Sequence, residues 1–309
     1  MAKHLIVGGA GFIGGNLARE LVGRGSKPRI FTRASSSLVN LVDILGSLDI
    51  VYGDFLDDVA LRRAVKGIDT VFHLISTTFP GTQMESSVYD IFSNLLPTIR
   101  LVEICLASGV KKIVYASSGG TIYGEPKTIP ITEEHPLRPK SAYGQSKLTI
   151  ENYLNFYARS TELDINVLRI SNPFGFGQKL LGTQGIIAVA MGCAYYNRVL
   201  KIYGQGETVR DYLYISDVVD ALIRASERSG SSIVNISSGF GHSVMEVVEA
   251  VEKISGKMIQ KEFVPARHGD VKVNILSNKL AKEIYDWTTK VDFQEGLRMT
   301  WEYLINKRT

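Results

Sequence analysis

Tyr143 and Lys147 are the two side chains of this sequence whose types and spacing point most clearly to acid–base chemistry. They stand four residues apart in the segment SAYGQSKLTIENYL, which places both on one face of a helix. A tyrosine has an ordinary pKa of about 10 and is a poor acid–base group at neutral pH, but a neighbouring ammonium lowers that pKa. Other YxxxK pairs fall at a Gly–Pro turn or in the last seven residues, where no stable helix is expected.

A hydroxyl-rich turn precedes this helix in the segment VYASSGGTIYGEP, from Val114 to Pro126. A turn after a buried strand needs the glycines but does not need Ser117, Ser118 and Thr121. These hydroxyls either face a substrate or satisfy backbone groups within the turn. Both interpretations stay open from the residues alone.

The segment VGGAGFIGG at the beginning of the chain has the glycine spacing of a dinucleotide-binding loop. It follows a short apolar strand and opens a helix predicted from Phe12 to Gly23, which is the context that such a loop requires. Gly8, Gly11 and Gly14 let the backbone approach a pyrophosphate, and the free amides of the helix stabilise its charge. A nicotinamide beside Tyr143 would then supply a positive charge that lowers the tyrosine pKa further.

The end of the second predicted strand, Phe31-Thr32-Arg33-Ala34-Ser35-Ser36, carries no acidic residue. NAD binders usually have Asp or Glu there for the ribose hydroxyls, whereas Arg33 suits a 2′-phosphate. The sequence therefore favours NADP(H) slightly over NAD(H). Asp54, after the third strand, is interpreted either as an adenine contact or as the N-cap of the next helix.

Short β-branched runs alternate with helical segments through the first half, which predicts an α/β fold with a doubly wound, mostly parallel sheet. The runs INVLRI and SIVNIS are expected to extend that sheet. After Asn172-Pro173 the alternation loosens into glycine-rich loops, which indicates a smaller α/β lobe in the C-terminal half.

The composition excludes several classes of function. The net charge of +4 on 309 residues is too small and too scattered to indicate nucleic-acid binding. Cys105 and Cys193 form no CxxC pair and the five histidines show no metal-ligand spacing, so we expect neither a disulfide nor a metal site. No apolar run approaches a membrane-spanning length and none resembles a signal peptide, so we expect a cytoplasmic chain without a membrane partner.

The sequence resembles the extended short-chain dehydrogenase/reductase family, and within it the nucleotide-sugar epimerases, dehydratases and 4-ketoreductases. The motifs occur in the family's order over nearly the whole chain: VGGAGFIGG, GDFLDD, VFHLIS, VYASSGGTIYGEP, YGQSK, RISNPFG, VRDYLYISDVVDA and ARHGD. The resemblance implies a Rossmann-like lobe for NAD(P), expected at residues 1–171 with about 211–240 returning to the sheet. Residues 172–210 and 241–309 are expected to form the lobe that binds a nucleoside-diphosphate sugar. It also implies a homodimer joined through helices.

The resemblance assigns roles to individual residues. Tyr143 and Lys147 are the expected acid–base pair, and a hydroxyl of the turn hydrogen-bonds the reacting sugar oxygen. Many 4-epimerases carry a catalytic serine at the position of Gly119, so the role passes here to Ser118 or Thr121, which the sequence does not separate. The expected cofactor contacts are Gly8, Gly11, Phe12, Ile13, Gly14, Thr32, Arg33, Ser36, Asp54, Phe55, Leu74, Asn94, Ser117, Tyr143 and Lys147. The expected substrate contacts are Asn172, Lys201, Arg210 and Arg267, although Arg210 is also open to a surface ion pair with Asp211.

Three reactions fit this resemblance to different degrees. A 4,6-dehydratase would carry an acid in the turn where Gly119 and Gly120 stand, so dehydration is not expected. The end of the second strand resembles that of NADP-dependent GDP-fucose synthases, which favours a 4-ketoreductase, such as a dTDP-4-dehydro-6-deoxyglucose reductase, in surface-polysaccharide precursor synthesis. A UDP-hexose 4-epimerase with tightly bound NAD is the alternative. A non-catalytic dinucleotide-sensing regulator is a remote one, since both Tyr143 and Lys147 are present.

Overall fold

The computed structural model describes residues 3–78, 87–266 and 270–306. The strands are β1 His4–Val7, β2 Arg29–Thr32, β3 Asp49–Tyr52, β4 Thr70–His73, β5 Lys112–Ser118, β6 Asp164–Ile170, β7 Asn172–Phe174, β8 Leu200–Tyr203, β9 Val209–Tyr214, β10 Ser232–Ile236, β11 Gly241–Ser243, β12 Lys261–Val264 and β13 Val273–Asn274. The helices are α1 Phe12–Gly23, α2 Asp58–Val65, α3 Ser87–Asp90, α4 Leu96–Ala107, α5 Ala142–Ser160, α6 Ile186–Tyr196, α7 Ile215–Glu227, α8 Val244–Ser255, α9 Lys279–Tyr285 and α10 Phe293–Asn306. A π-helical turn, Ile91–Leu95, joins α3 to α4, and a 3₁₀ turn covers Leu45–Ser47.

Seven parallel strands form the central sheet in the order β10-β6-β5-β4-β1-β2-β3. The predicted doubly wound parallel sheet is confirmed, and the runs INVLRI and SIVNIS extend it as β6 and β10. In β1, Ile6 points into one hydrophobic core, whereas Leu5 and Val7 point into the other. This alternation explains why the strand is apolar throughout, since helices cover both of its faces.

The strands of the second half build smaller sheets. In one of them β9 lies between β11 and β13 and also pairs with β7, and in another β8 pairs with β12. The segment 211–214 therefore lies in a smaller sheet, and the chain returns to the central sheet through α7 and β10. Cys105 and Cys193 are both buried free thiols.

A buried ion pair joins α5 to the central sheet. Arg169 of β6 and Glu151 of α5 meet at 2.8 Å, and both side chains are almost fully buried. The Glu151 carboxylate also accepts a hydrogen bond from Ser117 at the end of β5. Arg169 donates to the Tyr123 hydroxyl at 3.0 Å, and that hydroxyl donates to Asn235 of β10 at 2.7 Å. The network connects α5, three strands of the sheet and the hydroxyl-rich turn.

Replacing Glu151 with Gln is expected to lower the free energy of unfolding by about 3–5 kcal/mol, because it leaves the buried Arg169 charge uncompensated. Glu125→Gln is the matched control, since Glu125 pairs with Lys140 at 2.8 Å on the surface, where such a pair contributes about 0–1 kcal/mol. Urea unfolding followed by circular dichroism measures both. If both variants lose the same free energy of unfolding, the buried pair is no more important for stability than the surface pair.

Candidate active site

The proposed acid–base pair lies where α5 begins, beside the carboxyl ends of β4 and β5. Ser141 caps α5 by accepting a hydrogen bond from the Gly144 amide at 3.1 Å. A Cβ on Gly144 would lie 2.7 Å from the Thr121 carbonyl oxygen. Glycine at this position therefore allows the first turn of α5 to pack directly on the hydroxyl-rich turn, which brings Tyr143 to Ser118.

The Ser118 and Ser76 side chains lie close enough to the Tyr143 phenol for their hydroxyls to influence its pKa. Burial raises the pKa of Tyr143 to about 12, the two serine hydroxyls lower it, and the Asp90 charge raises it. The lowering of this pKa was expected from the neighbouring ammonium together with a nicotinamide charge, and without a bound cofactor burial outweighs any such effect. The Lys147 Nζ lies 5.7 Å from the centre of the Tyr143 ring, and burial dominates.

Lys147 is buried beside this tyrosine, with its side chain directed to β5. Its Nζ donates a hydrogen bond to the Ala116 carbonyl at 2.9 Å and lies 4.7 Å from the centre of the Tyr115 ring. Burial lowers the pKa of Lys147 to about 8, while the charges of Glu151 and Asp90 raise it. The charged form of Lys147 is therefore only slightly favoured over the neutral form at neutral pH, and the nearby carboxylates stabilise the charged form.

The turn places its hydroxyls differently. Ser118 reaches Tyr143, whereas the Thr121 hydroxyl donates to the Ser118 carbonyl at 3.4 Å. At Gly119, a Cβ would lie 2.3 Å from the Leu276 side chain and 3.0 Å from the Arg169 carbonyl oxygen. A serine side chain at position 119 would therefore point into packed structure and not toward Tyr143. Of the two candidates that the sequence left open, the structure brings Ser118 to the phenol.

The glycine loop between β1 and α1 has the shape of a cradle for a pyrophosphate. Gly8 has a φ of +89°, and a Cβ there would lie 2.9 Å from the Ile75 amide nitrogen. A Cβ on Gly14 would lie 2.5 Å from the Gly8 carbonyl oxygen. Gly11 begins the helix without a side-chain cap, and the first turn, including Phe12 and Ile13, carries no acid. The free amides and the helix dipole at this end therefore fit an anionic dinucleotide.

The residues predicted to contact the adenosine part of the cofactor differ in their exposure to solvent and in their hydrogen bonds. Thr32 is buried at the end of β2, Arg33 is exposed just beyond it, and Ser36 is half-buried. Asp54 accepts a hydrogen bond from the Leu56 amide at 2.9 Å and is not the N-cap, because Asp57 caps α2.

Four further predicted cofactor contacts are engaged with the protein itself. Phe55 lies in the second hydrophobic core, 5.3 Å between ring centres from His73. The Ser117 hydroxyl donates to Glu151 and is thus part of the buried network. The Leu74 amide donates to the Val7 carbonyl at 3.0 Å, beside the glycine loop. The Asn94 side chain donates to Thr77, Thr78 and Asp90.

The residues predicted to contact the substrate do not all lie in one place in the structure. The Asn172 amide donates to the Asp211 carbonyl at 2.9 Å, beside the turn that contains Gly120. Lys201 is exposed and lies 3.9 Å from Glu262. Arg267 lies outside the described residues.

Arg210 does not form the surface ion pair with Asp211 that the sequence left open. Its guanidinium donates to the Val209 carbonyl at 2.9 Å, and burial lowers its pKa. The Asp211 carboxylate is buried and accepts hydrogen bonds from Ser238, Gly239 and Leu276. Burial raises the pKa of Asp211 to about 6.

Sequence reasoning missed Ser76 and Asp90. Ser76 follows the buried strand β4 in the segment VFHLIS, so it carries a signal similar to that of Ser118, a hydroxyl near the carboxyl end of a buried strand. Asp90 showed no comparable signal. Within the described part of the chain, no cluster of His, Cys, Asp or Glu is arranged to hold a metal ion. Nor is any helix there both long enough and apolar enough to span a membrane.

Comparison with known proteins places this geometry in a family. The family model of the NAD dependent epimerase/dehydratase family matches residues 4–237. The chain belongs to this family. A UDP-glucose 4-epimerase of Mycolicibacterium smegmatis is 32% identical, with 99% of each chain covered. A dTDP-4-dehydro-6-deoxyglucose reductase of Escherichia coli is 33% identical, with 95% of this chain and 94% of the relative covered.

Solved structures agree with this family membership. A UDP-glucose 4-epimerase of Thermus thermophilus, in complex with NAD, superposes with a TM-score of 0.91 at 33% identity and covers 98% of this chain and 99% of its own. A UDP-glucose 4-epimerase of Thermotoga maritima, with UDP-glucose, superposes with a TM-score of 0.93 at 32% identity and covers 99% of this chain and 100% of its own. The resemblance to the extended short-chain dehydrogenase/reductases and the Rossmann-like fold are thereby confirmed. The protein is an epimerase/dehydratase-family enzyme of an NAD-dependent, nucleotide-sugar group.

Proposed function

We propose that this protein is a nucleotide-sugar 4-epimerase that works with NAD. The observation that carries the proposal is the Tyr143 phenol, which lies close to the Ser118 hydroxyl, with the buried Lys147 Nζ 5.7 Å from the centre of its ring. This arrangement suits removal and return of a proton at a sugar hydroxyl while hydride leaves and returns at the same carbon. The similarity to 4-epimerases over 99% of the chain supports the same reaction.

Within this reaction the residues of the chain have distinct tasks. The amides at the start of α1 bind the pyrophosphate, and Lys147 orients the nicotinamide ribose. When bound, NAD supplies the hydride acceptor at the sugar C4 carbon and, in its oxidised form, a positive charge. Ser118 hydrogen-bonds the C4 oxygen, and Tyr143 accepts its proton. Because burial raises the Tyr143 pKa to about 12, the phenol loses its proton at neutral pH only beside such a positive charge.

The nucleotide-sugar diphosphate is proposed to bind in the second half of the chain. Arg210 is partly buried, and its guanidinium forms no ion pair with its neighbour Asp211. Arg267 and Asn172 complete the proposed set, since an anion needs positive or amide donors. Lys201 is exposed beside Glu262, so we do not include it.

The proposed lobes follow the sheets. Residues 1–171 with about 211–240 would form the dinucleotide lobe, and 172–210 with 241–309 the sugar lobe. The central sheet draws all of its strands from the first set, while β9, at the boundary, pairs with strands of the second.

A 4-ketoreductase that uses NADPH is the second candidate. One observation favours it: Arg33 is exposed at the end of β2, where no acid is present to bind ribose hydroxyls. The similarity to the dTDP-4-dehydro-6-deoxyglucose reductase supports the same reading. The two candidates share Tyr143 and Lys147 and differ in whether the cofactor stays bound.

Product and cofactor analysis of the purified protein separates the two reactions. As a 4-epimerase, it should interconvert UDP-glucose and UDP-galactose, or their N-acetyl forms, without added cofactor, as measured by proton NMR of the anomeric signals. Denaturation should then release NAD. Consumption of NADPH with a 4-keto-6-deoxy sugar nucleotide, without interconversion, would overturn the epimerase in favour of the reductase. In that case Arg33→Asp should weaken NADPH binding far more than NADH binding.

Ser118→Ala is expected to lower kcat by about 10²-fold, because the phenol and the sugar oxygen lose a shared hydroxyl partner. Thr121→Ala is the matched control in the same turn, since its hydroxyl contacts only the Ser118 carbonyl in the described structure, at 3.4 Å. Steady-state kinetics with the substrate identified above measures both variants. A larger loss in Thr121→Ala would reverse the assignment.

We also propose a homodimer joined through α5 and the neighbouring segment 87–95. Val88, Tyr89 and Phe92 are more than half exposed, and Phe156 on α5 is 52% exposed. These two segments pack against each other, so we propose that a second copy of the chain covers the exposed apolar side chains of both.

The combined change of Phe92 and Phe156 to Glu is expected to convert a dimer into a monomer, because it places charges in the buried interface. Val59→Glu is the control, since Val59 is 76% exposed but lies on α2, outside this surface. Sedimentation velocity measures the oligomeric state. A monomeric unmodified protein, or a dimer that survives the double change, would contradict the proposal.

A further inference from the structure

Asp90 is a buried carboxylate that has no role in the reaction proposed above. It ends α3, has no exposed surface, and accepts hydrogen bonds from the Thr78 hydroxyl and from the Asn94 amide, the latter at 2.9 Å. Its second oxygen, Oδ2, is buried without a hydrogen-bond partner among the described residues. A carboxylate in this position is costly unless a positive charge lies nearby.

Asn94 fixes this carboxylate within a rigid polar cluster. Its side chain also donates to the Thr77 hydroxyl at 2.8 Å and accepts from the Thr77 amide at 2.9 Å. The cluster belongs to the π-helical turn Ile91–Leu95 and its flanks, which pack against α5. The Asp90 charge is therefore held at a set position beside the helix that carries Tyr143 and Lys147.

Lys147 lies on α5, the helix against which this cluster packs, and the Asp90 charge raises the Lys147 pKa, after the larger effect of Glu151. The groups that face Lys147 are Asp90 from α3, Glu151 and Tyr143 from α5, Tyr115 from β5 and His73 from β4. Burial lowers the pKa of His73 to about 3, so this histidine is neutral. Burial raises the pKa of Tyr115, so it is neutral as well.

Of the two carboxylates, Glu151 has the larger effect on the Lys147 pKa, but its charge is shared with a second cation. It forms the buried ion pair with Arg169 and accepts from Ser117. In the described part of the chain, Asp90 forms no ion pair within 4 Å, with Lys147 or with any other cation, and its buried Oδ2 has no hydrogen-bond partner, so its charge is not compensated at short range.

We propose that Asp90 is a positioning residue of this enzyme, whose carboxylate, fixed by Thr78 and Asn94, acts together with Glu151 as a counter-charge that keeps Lys147 an ammonium beside Tyr143. The proposal rests on the proposed hydride-transfer function for its kinetic consequence, but the effect on Lys147 is a property of the protein alone. Without this anion, the buried lysine gives up its proton at lower pH, because an opposite charge stabilises the charged form. A neutral Lys147 would no longer assist a phenolate at Tyr143.

The test compares neutral and charged replacements of Asp90 in the full-length protein. Asp90→Asn keeps an oxygen for Thr78 and Asn94 but removes the charge, and Asp90→Ser is a second neutral variant in case the first does not fold. Asp90→Glu keeps the charge. Asp292→Asn is the matched control: Asp292 is an exposed carboxylate that accepts from the Glu295 amide at 2.9 Å, and asparagine also caps a helix.

Carbon-13 NMR of proteins labelled at lysine Cε gives the titration of Lys147 directly, with Lys147→Met to assign its signal. We expect a midpoint near pH 8 in the unmodified protein and in Asp292→Asn, and a midpoint lower by about one pH unit or more in the neutral variants. The basic limb of the pH profile of kcat/KM should move in the same direction. In Asp90→Glu, the Lys147 midpoint and the pH profile of kcat/KM should both return most of the way to those of the unmodified protein.

Two outcomes would overturn the counter-charge. One is a Lys147 midpoint that is the same in the neutral variants as in the unmodified protein. The other is an equal shift in Asp90→Glu, which would show that shape and not charge is responsible. If the neutral variants shift the midpoint but no variant acts on a nucleotide sugar, the proposed function fails and the role of Asp90 as counter-charge is supported.

Discussion

The buried pair of Glu151 and Arg169 is the interaction on which the rest of the site depends. It attaches α5 to β6 at 2.8 Å, and through Ser117 and Tyr123 it also reaches β5 and the turn. Tyr143 and Lys147 stand on the same helix, about two turns and one turn before Glu151 respectively, so their positions follow from this attachment. Two charges removed from water contribute little net stability, but they define which face of α5 meets the sheet.

Burial is the second constraint, and it shifts the pKa values of the two proposed acid–base residues in opposite directions. It raises the pKa of the Tyr143 phenol to about 12 and lowers that of the Lys147 ammonium to about 8, since the neutral form of each is favoured away from water. The protein without cofactor therefore holds a protonated phenol beside a weakly held ammonium. On the proposed mechanism, this arrangement would make proton removal conditional on a positive charge arriving at the site, which would link the chemistry to dinucleotide binding.

At the glycine loop and at the start of α5, two backbone segments lie so close to each other that only glycine fits between them. At Gly14 and Gly144, a Cβ would meet carbonyl oxygens of Gly8 and Thr121 at 2.5 and 2.7 Å. The first contact shapes the loop proposed for the pyrophosphate, and the second seats α5 on the turn with Ser118. Glycine in these places is required by space and not by flexibility, because neither residue has a positive φ.

The sequence by itself determined the parallel sheet, the helix Phe12–Gly23, the helix carrying Tyr143 and Lys147, and the family. These follow from local patterns: apolar strands, glycine spacing, and two side chains four residues apart. Only the tertiary structure places Ser118, and not Thr121, near the phenol, joins Ser117 to Glu151, and reveals Ser76 and Asp90 beside the same group. The reason is that hydroxyls and carboxylates carry no directional signal in sequence. Their partners come from strands and helices far apart in the chain, and burial, which sets their pKa values, exists only after packing.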